Sequence, residues 1–235
     1  MVDVRVRHRE PELMDEPGLD PARHSAALQG LARLNRWSGS AWALWQPLRM
    51  LARRVAPEPL RVLDVATGAG DVPIQLTRFA QRAGLRLVFD ACDVSPHAIR
   101  YAESRASVAA APVRFFQLDA LTDPLHGTYD VIINSLFLHH LEQPQAVDLL
   151  RRMAAAARRL VLANDLVRSA WSYRMVALGA HVLTRSDVVH TDSLRSVRAA
   201  YSIDEARGLA QEAGLTGAEV AFRWPCRFLL SWAKA

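Results

Sequence analysis

The stretch Val62-Leu-Asp-Val-Ala-Thr-Gly-Ala-Gly70 has residue types and spacing suited to holding a nucleotide-like cofactor. A branched, apolar strand runs through Asp64, a glycine turn follows at Gly68 and Gly70, and a helical pattern comes after it. Glycine tolerates a left-handed backbone and lets a ligand come close to the main chain. A dinucleotide turn would place a third glycine three positions after Gly70, where helix packs on strand, but Pro73 stands there. That demotes NAD and FAD. Asp71 puts negative charge near the helix start, where a pyrophosphate would sit, so a sulfonium cofactor with an ammonium group suits the field better. Asp93, at the end of the next strand, can accept both hydroxyls of a ribose, or else cap the helix that opens at Pro96.

These residues need a frame that gathers strand ends. Apolar spacing over 21–54, with Leu31, Leu34, Trp42, Trp45, Leu48 and Leu51, predicts two leading helices before Pro57 and Pro59 break the pattern. Strands are expected at 60–65, 85–92, 113–118, 129–134 and 159–163, and helices at 72–83, 96–107 and 144–157. Ser95 and Pro96 make a clean helix start. An insertion follows the fifth strand, another helix begins at Tyr201, and strands at 217–224 and 226–232 close the chain around Pro225. The alternation predicts a Rossmann-like α/β fold: a doubly wound, mostly parallel seven-stranded sheet with N-terminal helices. The expected organisation is one domain, with residues 1–56 as a helical lid segment, 57–235 as the core, and the insertion 169–198 completing the lid.

Composition narrows the classes. The 235 residues are 51% hydrophobic and 23% charged, enough for one sizeable core. The net charge of +5 comes almost wholly from arginine, since Lys234 is the only lysine. The pairs Arg53-Arg54, Arg151-Arg152 and Arg158-Arg159 lie in or at the ends of expected helices, which reads as solvated faces and not a nucleic-acid track. Two cysteines, Cys92 and Cys226, make neither a zinc pattern nor a disulfide scaffold, so no metal is expected and a reducing cytoplasm fits. No signal-peptide core and no run of about 18 apolar residues appears, which leads to the expectation of a soluble protein without a membrane span.

Four ordered segments carry a family resemblance over residues 60–165: Val-Leu-Asp-Val-Ala-Thr-Gly-Ala-Gly-Asp, Cys-Asp-Val-Ser-Pro, Gln-Leu-Asp-Ala and Tyr-Asp-Val-Ile-Ile-Asn-Ser-Leu-Phe-Leu-His-His-Leu. Their order resembles the class I S-adenosylmethionine (SAM)-dependent methyltransferases. The resemblance implies SAM as cofactor, with Asp64, Ala66, Thr67, Gly68 and Gly70 around its methionine part. It implies Asp93 and Val94 at the ribose, Asp119 and Ala120 at the adenine, and Asn134, Ser135 and Leu136 bordering the cofactor. Ala66 stands where the commonest loop has glycine, and no Pro-Gly-Gly turn precedes the fifth strand. The Ala-Thr-Gly-Ala-Gly-Asp form is similar to methyltransferases of quinone biosynthesis. Glu12-Leu-Met-Asp, Asn164-Asp165-Leu and Ser196-Val-Arg-Ala-Ala-Tyr look like small bacterial methyltransferases of polyketide or phenolic-lipid pathways.

Methyl transfer from a sulfonium is an in-line displacement, so positioning does most of the work, and a base is needed when the acceptor must lose a proton. For a phenol or enol that base is usually histidine. His139 and His140 directly follow the fourth strand, where the ligand crevice forms, though either could instead pack the short helix at Leu141. His181 and His190 in the insertion are further candidates, with Asp165 and Asp187 as carboxylate alternatives. Trp37, Trp42, Trp45, Trp171, Tyr173 and Met175 fall in the segments flanking the core and are expected to line a hydrophobic, aromatic acceptor site. The expectation is O-methylation of a hydrophobic, polyketide-like small molecule by a cytoplasmic enzyme, with a homodimer as a further partner. Alternatives are C-methylation of a quinol-type precursor, a nucleic-acid or protein methyltransferase, a non-catalytic SAM-binding protein and an NAD-dependent dehydrogenase. The Pro-Pro-Tyr/Phe sequence of adenine-modifying enzymes is absent at Asn134-Ser135-Leu136-Phe137.

Overall fold

Apolar runs flanked by helices become the centre of one sheet in the computed structural model, which describes residues 4–15, 18 and 20–234. Residues 1–3, 16, 17 and 19 of the expected lid segment, and residue 235, lie outside the described residues. Helices α1 (Pro21–Trp37) and α2 (Ser40–Val55) precede strand β1 (Leu60–Val65). The chain then alternates through α3 (Asp71–Arg82), β2 (Leu87–Asp93), α4 (Pro96–Val108), β3 (Val113–Gln117), β4 (Tyr129–Ser135), α5 (Gln143–Ala156) and β5 (Ala157–Leu166). The insertion is two helices, α6 (Ala170–Leu183) and α7 (Asp187–Ala199), followed by α8 (Ile203–Glu212), β6 (Glu219–Arg223) and β7 (Arg227–Ala233).

The sheet order is β3-β2-β1-β4-β5-β7-β6, with β1 to β5 parallel and β7 antiparallel to both β5 and β6. The doubly wound, mostly parallel seven-stranded sheet is therefore present. The order reverses between β1 and β4, which opens a crevice at the carboxyl ends of these strands. Both faces of the sheet are buried. Leu60, Val62 and Val131 pack with α2 and α3, whereas Leu63, Val65 and Ile132 pack with α5 and α8. Strand β5 runs beyond its apolar stretch because Asn164, Asp165 and Leu166 pair with Leu229, Phe228 and Arg227 of β7.

A third cluster builds the cover over the crevice, where Leu34 of α1, Val176 of α6 and Val188, Val189 and Val197 of α7 meet Leu166 and Cys226 at the sheet. The leader is tied to this cover. Asp192 on α7 accepts from the amides of Leu13 and Met14 at 2.8 and 3.0 Å, and the Arg7 guanidinium donates to the carbonyls of His139, Leu141 and Ala199.

The turn after β1 holds three left-handed residues, Ala66 (φ 54°), Gly68 (φ 54°) and Gly70 (φ 70°). A methyl on Gly70 would stand 3.0 Å from Ala102 and from the Phe115 ring, whereas one on Gly68 would meet nothing within 4 Å. Gly70→Ala is accordingly expected to destabilise the fold by about 2–4 kcal/mol, from left-handed strain and crowding together, and Gly68→Ala by about 1–2 kcal/mol from strain alone. Urea unfolding of the two variants measures the difference, and equal losses would contradict the packing argument.

Candidate active site

A cavity of about 550 Å³ lies between the strand ends and the cover. Loops after β1, β2, β3 and β4 supply one part of its wall: Ala66, Thr67, Gly68, Asp93, Val94, Asp119, Ala120, Ser135 and Leu136. The leader, the cover and the segment after β4 supply the rest, including Glu12, Met14, Leu31, Leu34, Phe137, His139, His140, Val176 and Arg227.

The first part is a cradle shaped by its own backbone. The Asp93 carboxylate accepts from the Gly68 amide at 2.8 Å and from the Ser95 amide at 2.9 Å, which fixes both oxygens at the cavity wall with lone pairs to spare. Ser95 caps α4 as its sequence suggests, so Asp93 braces the turn and is not that helix's cap. Leu136 (φ 60°), like Ala66, is a non-glycine residue in left-handed conformation, at a cost of about 1–2 kcal/mol each. Strain of this kind, over-determined by surroundings, marks places where a ligand meets backbone.

Asp64, Gly70 and Asn134 do not reach the wall. Asp64 is buried behind the turn and accepts the Thr67 hydroxyl at 2.6 Å. Burial pushes its carboxyl up to about 7, the Thr67 bond pulls against this, and the nearby Asp93 charge adds to the rise. Its Oδ1 has no partner. Asn134 is likewise buried and donates to the Val65 carbonyl at 2.9 Å. Gly70 opens α3 against Ala102 and Phe115. The contacts expected of these three are thus indirect: the Asp64 and Asn134 side chains lie in the layer beneath the turn, and Gly70 packs against α4 and β3 at the start of α3. An open space over Gly68, an unpartnered Asp64 oxygen behind the loop and the wall-facing Asp93 fit a cofactor that carries a ribose and a positive centre.

The second part holds an acid–base pair. His139 Nδ1 lies 2.7 Å from Asp165 Oδ1, and the His139 amide donates to Asp165 Oδ2 at 3.0 Å. Burial would push the His139 imidazolium down, but the Asp165 charge and hydrogen bond, with Glu12 beyond, outweigh it, so its pKa is raised. Asp165 is held below the usual carboxylate range, since His139 and two backbone amides overcome its burial. With Nδ1 engaged, Nε2 is left towards the cavity, 4.0 Å from Glu12 Oε1. The His140 ring lies beside it, tilted by 35° at 4.2 Å between ring centroids, and burial, followed by the His139 charge, pulls it down to about 4. Asp165 is therefore the partner that orients a histidine and not itself a base.

Two wall residues were not singled out as site residues from sequence. Glu12 accepts the Ser196 hydroxyl at 2.5 Å and faces His139, so two segments that the sequence shows only as isolated runs meet here. Arg227, 1% exposed, donates to Ser38 and Asn35, while its remaining nitrogen has no partner. Nothing in a strand sequence announces an arginine turned inward. Glu12, His139 and His140 bring one donor atom each within 4.8 Å of one another.

The other sequence candidates lie elsewhere. His181 and His190 stack on each other at 4.4 Å between α6 and α7, and the His190 ring contacts the carbonyls of Ala180 and Thr184, so neither faces the cavity. Asp187 is exposed and pairs with Arg23. The aromatic residues are also displaced: Trp42 and Trp45 pack on Phe79, Trp37 and Tyr173 join the cover's core, and Trp171 donates to the Pro225 carbonyl. None of these, nor Met175, lines the cavity. Helical rotation turns them away, and Met14, Leu31, Leu34 and Val176 provide the apolar wall instead.

Residues 62–159 match the family described as a methyltransferase domain. With the strand order and the cradle above, this segment is similar to the SAM-binding domain of the class I, Rossmann-like methyltransferases. Among its relatives is the demethylmenaquinone methyltransferase of Thermus thermophilus, 32% identical over 106 residues. That match covers 44% of this chain and 46% of the relative, so the chain spans about half the length of the curated protein it matches. Magnesium protoporphyrin IX methyltransferase from Synechocystis PCC 6803 with bound S-adenosylhomocysteine is similar in structure, at TM-score 0.57 and 16% identity over 94% of this chain and 91% of that one. An O-methyltransferase family 2 protein from Planctomyces limnophilus in complex with apigenin gives TM-score 0.64 and 19% identity over 94% and 63%. At these identities the structural likeness is one of fold.

Asp93→Ala removes both the brace on Gly68 and the wall carboxylate. It is expected to weaken SAM binding by at least about tenfold, the loss of one charge-assisted hydrogen bond, while Trp42→Ala leaves affinity unchanged. Titration calorimetry reads both, and an unaltered dissociation constant for Asp93→Ala would remove Asp93 from the cofactor site.

Proposed function

We propose that the protein transfers the methyl group of SAM to a hydroxyl of a hydrophobic small molecule, a phenol or enol, with His139 as general base. The observation that carries this reading is the buried His139–Asp165 pair whose free Nε2 faces an apolar cavity beside the cofactor cradle. Bound SAM would supply an electrophilic methyl carbon on a sulfonium, held by Asp93, the turn at Ala66–Gly68 and the Asp119 loop.

In this mechanism the acceptor hydroxyl lies between His139 Nε2 and the cradle, with its ring against Met14, Leu34 and Val176. His139 takes the hydroxyl proton at Nε2, and Asp165 stabilises the imidazolium through Nδ1. The deprotonated oxygen would then be placed to take the methyl carbon that bound SAM offers, with S-adenosylhomocysteine as the leaving group. Arg227, a buried cation without an ion-pair partner among the described residues, favours the anionic oxygen that forms. Glu12, whose carboxylate lies 4.0 Å from His139 Nε2, favours the imidazolium that forms.

A quinol-type acceptor methylated on carbon is a second reading, favoured by the Thermus relative's name; the same base would remove the proton of the ring hydroxyl. Arg151 and Arg152 donate to backbone carbonyls and Arg159 pairs with Asp130, which argues against a nucleic-acid partner. Both cysteines are free and buried, which supports a cytoplasmic setting.

Screening phenols, quinols and pyrones with SAM for the mass gain of one methyl tests the function, and NMR of the product separates oxygen from carbon. No gain across these classes would sink the proposal. On an accepted substrate, His139→Ala is expected to lose about 10²–10⁴ in rate and His140→Ala less than about tenfold. The base acts when neutral, so kcat/KM should rise with pH through a pKa above the ordinary histidine value of 6.5. Asp165→Asn should move that rise to lower pH and slow the reaction. Full activity after exhaustive chelation is expected; a loss restored by a divalent cation would hand the Glu12, His139 and His140 cluster to a metal.

A further inference from the structure

The two faces of α6 do different things. Its inner face, with Val176, Gly179 and Ala180, is buried in the cover and contributes Val176 to the cavity. The outer face carries Trp171, Met175, Leu178 and Val182, at the i, i+4, i+7, i+11 spacing of a single apolar row. Trp171, Leu178 and Val182 are 53%, 61% and 72% exposed. The Trp171 indole donates to the Pro225 carbonyl at 2.9 Å, which sets the turn between β6 and β7 against the start of the row, and Trp224 on that turn is 70% exposed. Scattered apolar side chains on a surface need no explanation, but a continuous row joined to a second exposed tryptophan marks a surface that something covers.

The charges around the row identify the occupant. No Asp or Glu occurs from residue 166 to 186, nor from residue 220 to the end of the chain. Arg174 lies one turn from both Trp171 and Leu178, Arg185 follows the end of the helix, and Arg223 adjoins Trp224. Among the described residues, Arg174 and Arg185 have no ion-pair partner, and the Arg223 guanidinium donates only to the Phe222 carbonyl. Asp187, the next acid along, is taken by Arg23. A second copy packed across a two-fold axis would bring these cations against their own kind. Anionic headgroups complement them, and tryptophan favours the depth of the headgroups.

We propose that the outer face of α6 and the adjoining β6–β7 turn form a docking surface for an anionic lipid bilayer. Among the described residues no helix is long and apolar enough to cross a membrane, so the association is peripheral, with the row sunk into the interface. The inference rests on the surface and not on the identity of the acceptor. Where the proposed acceptor chemistry holds, the geometry gives it a reason: the helix lying on lipid is the one whose inner face covers the cavity, so an acceptor dissolved in the bilayer has a short path to it.

The test is co-sedimentation of the full chain, without SAM, with vesicles of phosphatidylglycerol or of phosphatidylcholine. The wild type should bind the anionic vesicles at least about tenfold more tightly, with affinity falling as salt rises. Leu178→Asp/Val182→Asp should lose at least about tenfold of that binding, and Arg174→Glu/Arg185→Glu should remove the preference for anionic lipid. Both variants should keep the wild-type thermal midpoint and SAM affinity, because none of these side chains touches the cavity. Equal binding to both lipids, or unchanged binding of the Leu178 and Val182 variant, overturns the proposal. So does a wild-type dimer in light scattering that this variant converts to monomer, which would assign the surface to a second copy. SAM binding and methyl transfer are measured separately, so a failure of the enzymatic reading would leave this result untouched.

Discussion

One buried carboxylate, Asp165, organises the side of the cavity proposed to take the acceptor. It has almost no contact with solvent, yet it remains ionised because the His139 amide, the His139 ring and the Leu166 amide all bond to it. Isolating such a charge would cost several kcal/mol, so the residues that satisfy it cannot move independently. The segment after β4 is pinned to the end of β5, and the His139 ring is left with a single orientation. The leader then closes over this arrangement through Arg7, which takes the carbonyls of His139 and Leu141, and through Glu12, which faces the free side of the ring.

That arrangement depends on strand pairing. Asp165 stands at the cavity because β5 is continued past its apolar stretch by the antiparallel β7, which also carries Arg227 in register with Leu166. The two charged groups of the acceptor side, one anionic and one cationic, therefore enter from neighbouring strands as a result of one ladder. The cofactor side is built differently. There the backbone itself forms the wall, with Ala66 and Leu136 held left-handed at the ends of β1 and β4 and Asp93 bracing Gly68 from β2. Strand ends fix both sides, while helices α1, α6 and α7 supply the apolar cover.

The difference between the two sides also governs how legible they were. The cradle is the more legible part because it is built from short continuous segments: Thr67, Gly68, Asp93, Val94, Asp119 and Ser135 all line the cavity. Asp64, Gly70 and Asn134 of the same segments do not line the cavity: the Asp64 and Asn134 side chains are buried and bonded behind the turn, and Gly70 opens α3. The side proposed to take the acceptor is assembled from residues 12, 139, 165 and 227, of which His139 and Asp165 stood out by type and position and Glu12 and Arg227 did not. Asp165 appeared as a rival base and proved to be its orienting partner. The tryptophans were misplaced for a related reason: an apolar side chain at helical spacing marks a buried or covered face without saying which neighbour that face meets.

The sequence by itself determined the sheet, the cofactor turn and the position of His139 at a strand end, because hydrophobic periodicity, glycine in a left-handed turn and capping residues act over a few neighbouring positions. Only the tertiary structure decided which carboxylate orients the histidine, which histidines pack against each other away from the cavity, and that the Trp171 face of α6 looks outward. Those outcomes depend on the register of β5 against β7 and on the rotation of helices against the core, and both are set by packing between residues far apart in the chain.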